Sequence, residues 1–243
     1  MSIKAAPLIG KFLKELESDT KKSGLQAASL KAVKRTGTRL KKFGNAPETG
    51  PTLVVANHPH DAEVLALLAS LPDRPDIFIV INHIYMKASE TLSKHFIPVY
   101  LTHHVHEGRP VTLSGRIVDF LLKPEKLTPD QEHELNIKSI DKAAELINKG
   151  GMVVLFPEKR YGERRWQPGL GHLLKKVDGK TKLVFAHISG TSRKDYLRLI
   201  PGAAKMLPEI KVAFHQLPIE INTALSARET AQEYEKMYIR HFK

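Results

Sequence analysis

The sequence predicts an α/β fold in which a sheet is covered by helices. Continuous apolar runs of strand length recur from residue 52 onward, and one-sided amphipathic runs alternate with them. Strands buried on both faces read as unbroken apolar runs, whereas covering helices read as stripes of period 3.6. The chain has 243 residues, enough for one large domain with a sizeable core. It contains no cysteine, which argues against a disulfide-built secreted protein.

In chain order, Leu8, Ile9, Phe12, Leu13 and Leu16 recur at helical spacing between Lys11, Lys14 and Glu15. A second helical pattern runs from Leu25 to Phe43, weakened in its middle by Gly37. These helices either pack on the main domain or lie at a membrane interface. Gly44 to Pro51, GNAPETGP, reads as a linker. Residues 1–44 thus form an N-terminal pair of amphipathic basic helices, and residues 45–243 an α/β domain. Its strand-like runs are Thr52–Asn57, Asp76–Asn82, Phe96–Leu101, Met152–Phe156, Lys182–Ser189 and Lys211–His215. Its helix-like runs are Glu63–Leu71, Leu135–Lys149, Gly169–Val177 and Ala224–Phe242. Residues 102–134 are irregular and read as a surface insertion of the kind that forms lids.

The formal net charge is +12, which implies an anionic partner: nucleic acid, anionic lipid, a phosphorylated substrate or an acidic carrier protein. Residues 1–44 hold eleven lysines and arginines against three acids, so the bias is concentrated there. No nucleic-acid-binding motif or aromatic-interleaved basic stripe accompanies it, so nucleic acid is not the expected partner. The N-terminus has no long apolar stretch before a cleavage site, and no apolar run approaches the ~18 residues of a spanning helix. A cytoplasmic protein, peripheral on the membrane surface, is expected.

Two stretches carry candidate chemistry. Asn57 to Glu63, NHPHDAE, follows one apolar run and precedes another. His58 lies at a strand end and Glu63 five residues later, in the first turn of a helix. A carboxylate beside an imidazole fixes its tautomer and stabilises the imidazolium, which makes His58 a candidate general base. Equally, Glu63 is a favourable charge for a helix start. Phe156 to Trp166, FPEKRYGERRW, also follows a buried strand. Glu158, Lys159 and Arg160 emerge where ligands bind in open α/β sheets, at the carboxyl end of a strand. Arg160, Arg164 and Arg165 suit forked recognition of a phosphate, or form a solvated basic loop. A zinc site built from His58, His60 and Asp61, or from His103, His104 and His106, is disfavoured: there is no H-E-x-x-H spacing and no cysteine. Trp166 reads as a packing anchor, His187 as a satisfied core histidine and His172 as a structural residue.

Together the two stretches resemble the glycerolipid acyltransferase family, that of the lysophosphatidic acid acyltransferases. The family's first motif, N-H-x-x-x-x-D, is matched by Asn57 and His58 with Glu63 at the acid position. Its third motif, F-P-E-G-T-R-S, is matched by Phe156, Pro157 and Glu158, while Lys159, Arg160 and Tyr161 depart from it. The second motif's arginine has no counterpart near FIPVYLTHHVH; Arg109 and Arg116 come later. The resemblance covers roughly residues 50–190. It implies a mixed sheet covered by helices and transfer of a fatty acyl group from an acyl thioester to a lipid hydroxyl. His58 is then the base, oriented by Glu63. Asn57, Pro157, Glu158, Lys159 and Arg160 border the acceptor. The resemblance implies no cofactor and no metal. It implies acyl-CoA or acyl carrier protein as co-substrate, a lysophospholipid or related acceptor, and an anionic membrane surface as support. The alternatives are a non-catalytic relative that binds lipid or acyl carrier, and a metal-dependent hydrolase.

Overall fold

The computed structural model describes residues 5–58, 60, 62–87, 89–100, 127–158, 165–192, 194–200, 202–219, 222 and 224–242. Among the described residues, seven strands form one sheet: β1 (Leu40–Phe43), β2 (Thr52–Ala56), β3 (Ile77–Asn82), β4 (Phe96–Val99), β5 (Met152–Leu155), β6 (Lys182–Ser189) and β7 (Ile210–Leu217). Their order is β1-β7-β6-β2-β5-β3-β4. Neighbours run parallel except β6 and β7, which are antiparallel, so the sheet is mixed as expected.

The central strand β2 is buried at all five positions because both of its faces are covered. Val54 and Ala56 face the core shared with α1 (Ala5–Ser23), α2 (Leu25–Thr36) and α3 (Ala62–Ser70). Leu53 and Val55 face the other core, with Ala143 and Ile147 of α5 (Pro129–Asn148), Leu170 and Leu173 of α6 (Gly169–Leu174) and Tyr234 and Tyr238 of α7 (Ala227–Phe242). A short α4 (Glu90–Ser93) precedes β4. Phe12, Leu16, Leu25, Ala28 and Ala32 turn the apolar stripes of α1 and α2 inward. The Gln26 side-chain amide donates to the Ala69 carbonyl at 3.2 Å and fastens α2 to the end of α3.

Three element boundaries differ from the sequence expectation. The helical pattern from Leu25 to Phe43 ends at Thr36. Gly37 takes a left-handed conformation (φ 70°) and its N–H caps the carbonyls of Val33 and Lys34. Leu40–Phe43 then pairs with β7 as an edge strand whose lysines discourage further pairing. The helix expected from Leu135 begins at Pro129, inside the stretch assigned to the insertion. Thr128 and Gln131 form a reciprocal capping box there, and residues 101–126 lie outside the described residues. The helix expected from Ala224 begins at Ala227, where the Ser226 hydroxyl accepts from the Glu229 N–H and the Glu229 carboxylate accepts from the Ser226 N–H.

One buried guanidinium ties the amino ends of three strands. Arg74 grips Asp76 with two bonds of 2.6 and 2.7 Å, just before β3. It also donates to the carbonyls of Gly50, before β2, and Gly150, before β5. The grip holds the Asp76 carboxyl below its ordinary range, against the opposing effect of burial. Arg74→Met, which leaves these carbonyls without their donor, is expected to lower stability by about 2–3 kcal/mol in urea unfolding. Because Asp76 titrates lower in the folded state, the part of this contribution that comes from the Asp76 pair is present at neutral pH and is lost as acid protonates Asp76, while the bonds to the carbonyls persist. The gap between wild type and variant should therefore narrow on acidification; a gap independent of pH would contradict this role.

Candidate active site

The carboxyl ends of β2 and β5 lie side by side, Val55 opposite Leu155 in register. The next residues on each chain are the two stretches singled out above, so the sheet itself brings them together. Ligand sites in open α/β sheets form at such strand ends because the loops leaving them diverge over opposite faces.

Asn57 is the first residue after β2, and its side-chain amide extends the ladder. Nδ2 donates to the Ile188 carbonyl at 2.9 Å, and the Ile188 N–H donates to Oδ1 at 2.7 Å. A carboxamide has the donor and acceptor of a peptide group, so it can replace one where the strand has ended. The clamp fixes where the chain turns away from β6 toward His58.

Glu63 stands in the first turn of α3 with its side chain wholly buried. One oxygen, Oε1, lies 2.5 Å from Nδ1 of His58 and accepts from the His60 N–H at 2.7 Å. An ionised carboxylate only accepts hydrogen bonds, so His58 carries its proton on Nδ1 and leaves Nε2 as the free basic nitrogen. The other oxygen, Oε2, is buried and has no hydrogen-bond partner among the described residues. The amino end of α3 and the two donors offset the cost of burying this charge. The His58 side chain keeps 21% of its exposure, while the Glu63 side chain bonded to it keeps none.

The second stretch supplies the wall. The Phe156 ring lies against the imidazole, centroids 4.9 Å apart at 36°. Pro157 is buried, and its carbonyl accepts from the Gln167 N–H at 2.9 Å. Glu158 and Trp166 pair across an isolated antiparallel bridge. Trp166 is buried against Phe185 and Tyr238, which accords with its reading as an anchor. Burial, and then the nearby Glu158 charge, push the Tyr238 phenol up, so it stays protonated. Its oxygen lies 2.7 Å from Nδ1 of His187, giving that half-buried histidine a partner. His172 is exposed on α6. Lys159, Arg160, Arg164, Asp61, His103, His104 and His106 lie outside the described residues. Among the described residues, no group of three His, Cys, Asp or Glu side chains is placed to hold a metal ion, and no helix is long and apolar enough to cross a membrane.

Sequence reasoning did not single out the contribution of Phe156 as a platform for His58, of the Ile188 main chain as the clamp for Asn57, or of the His60 N–H as second donor to Glu63. Phe156 had a signal, its place in the FPE stretch. The other two are main-chain contacts and leave no mark in residue identity.

No protein-family model matches the chain. No curated protein matches it either. Among solved structures, it is similar to the 1-acyl-sn-glycerophosphate (LPA) acyltransferase PlsC from Thermotoga maritima, at 16% identity over 95% of this chain and 80% of that one, with a TM-score of 0.47. What the site does must be read from its own geometry.

His58→Ala leaves the buried Glu63 carboxylate without its side-chain hydrogen-bond donor and is expected to cost about 2–3 kcal/mol of stability. Adding Glu63→Leu removes the stranded charge, so the double variant should lose less than the two single losses combined, with a coupling of about 1–2 kcal/mol. Urea unfolding of the four proteins measures this; simple additivity would contradict the pairing.

Proposed function

We propose that this protein is an O-acyltransferase, moving a fatty acyl group from an acyl thioester to the hydroxyl of a lysophospholipid or related lipid. The observation that supports this reading best is the His58–Glu63 pair: a partly exposed imidazole bonded through Nδ1 to a wholly buried carboxylate. Such a pair suits proton removal from an alcohol, because the imidazolium that forms is stabilised where it stands.

In the proposed reaction, Nε2 of His58 takes the proton of the acceptor hydroxyl as its oxygen attacks the thioester carbonyl. A tetrahedral oxyanion forms and then collapses. The carbon–sulfur bond breaks, the new ester carbon–oxygen bond remains, and the imidazolium returns the proton to the departing thiolate. Glu63 orients His58 and stabilises its charged form without itself exchanging a proton. Asn57 holds the wall of the site through Ile188. Pro157, Glu158, Lys159 and Arg160 border the acceptor, with the two cations meeting its phosphate or other anionic group. The donor is acyl-CoA or acyl carrier protein, both anionic and so matched to a chain of net charge +12. An acceptor with an acyl tail resides in a lipid layer, which places the enzyme peripherally on an anionic membrane surface.

The test is release of free thiol from acyl-CoA and from acyl carrier protein, each offered with a panel of lysolipids and other hydroxyl acceptors. Acceptor-dependent release is expected from wild type, with a loss of roughly a hundredfold to ten-thousandfold in His58→Ala and in Glu63→Gln. Folded wild type that binds lipid or carrier but releases no thiol with any pair would favour a non-catalytic binder. Release unchanged by His58→Ala would remove His58 from the reaction.

A further inference from the structure

A protein that works on a lipid layer needs apolar side chains that reach outward as well as positive charge. Of the apolar stripes of α1 and α2, Phe12, Leu16, Leu25, Ala28 and Ala32 face the core, while Leu8 near the start of α1 is 36% exposed. A group of such outward residues lies on the connection from β6 to β7, residues 190–209. Tyr196, Ile200 and Met206 are there 48%, 38% and 88% exposed. Among the described residues four other exposed large apolar residues, Leu8, Phe43, Ile137 and Ile239, stand singly on α1, β1, α5 and α7. Two exposed lysines, Lys194 and Lys205, accompany the apolar side chains. Of the two acids on the connection, Asp195 is buried and bonded to Arg198, and Glu209 is half-buried at its end.

The display is held from within. Buried Arg198 donates to Asp195 at 2.9 Å and to two carbonyls, Gly190 at 3.2 Å and Pro208 at 2.9 Å. It thereby staples the beginning of the connection to its end. Gly190, at φ 81°, permits the closure, because a Cβ there would fall 1.9 Å from the Glu209 carbonyl oxygen. The exposed side chains therefore project from a closed frame.

The frame stands beside the candidate active site. β6 runs parallel to β2, so the connection leaves the sheet at the end that carries His58. Ile188, which Asn57 clamps, lies two residues before Gly190.

We propose that this connection is the surface by which the protein docks on an anionic bilayer. Tyr196, Ile200 and Met206 enter the headgroup region, and Lys194 and Lys205 meet the lipid phosphates. Positive charge beside exposed apolar residues is complementary to an anionic interface and to no purely aqueous one. The purpose of docking rests on the lipid-acceptor reading above: it presents the strand ends, and with them His58, to the layer that holds the acceptor.

Flotation with vesicles tests the surface. One set is phosphatidylcholine alone; the other is an equal mixture of phosphatidylcholine and phosphatidylglycerol. Wild type should float with the mixed vesicles more than with the neutral ones. Ile200→Asp combined with Met206→Asp should reduce binding to the mixed vesicles by roughly tenfold or more, while Ile137→Asp, an exposed change on α5, should bind as wild type does. Wild type that ignores the mixed vesicles, a double variant that floats undiminished, or an equal loss in Ile137→Asp would overturn the proposal. Thiol release by wild type with short-chain, water-soluble members of the same acceptor panel reports the chemistry separately. Flotation without release from any donor–acceptor pair leaves the docking surface standing and removes the transfer reading; release without flotation does the reverse.

Discussion

A carboxylate removed from water must find compensation within reach of its two oxygens, and Glu63 finds it on one side only. Oε1 takes the His58 imidazole and the His60 main chain; Oε2 is buried with no hydrogen bond among the described residues. The imidazole stands 2.5 Å from the buried carboxylate and supplies its side-chain hydrogen bond. The loop from Asn57, the start of α3 and the wall at Phe156 are all arranged around this pair.

The sheet makes the pair possible. Parallel strands β2 and β5 end level with each other, so residues about a hundred positions apart meet at one edge. Asn57 continues hydrogen bonding past the end of β2, and the Phe156 ring lies against the imidazole. At the opposite end, Arg74 gathers the starts of β2, β3 and β5. The central strands are thus tied at their amino ends by a structural cation and at their carboxyl ends by side chains that leave one imidazole nitrogen free.

Much of this was legible in residue order. The central strands are unbroken apolar runs and the α/β class follows from them. The five-residue interval between His58 and Glu63, across a strand end and a helix start, allowed the two side chains to meet; that they catalyse is the proposal. Other features were legible but misread. Thr128-Pro129-Asp130-Gln131 is a capping box preceding a helix, yet its polarity resembled the irregular stretch before it. Gly37 marked the end of α2 rather than a weak middle. Leu40–Phe43, with two lysines and no alternation, carries little strand signal because an edge strand buries little. The clamp of Asn57 on Ile188 could not be read at all, since its partner is a main chain 131 residues away.

The most direct measurement of the central pair is the protonation pattern of His58 by nitrogen-15 NMR of histidine-labelled protein, assigned with His58→Gln. Neutral His58 should carry its proton on Nδ1, with a strongly downfield proton resonance from the bond to the Glu63 carboxylate, and Nε2 should be unprotonated. Glu63→Gln should remove that downfield resonance while the protein stays folded. A neutral His58 protonated on Nε2, or an Nδ1 proton indifferent to Glu63→Gln, would contradict the account, because the base would then face inward or the carboxylate would not hold it.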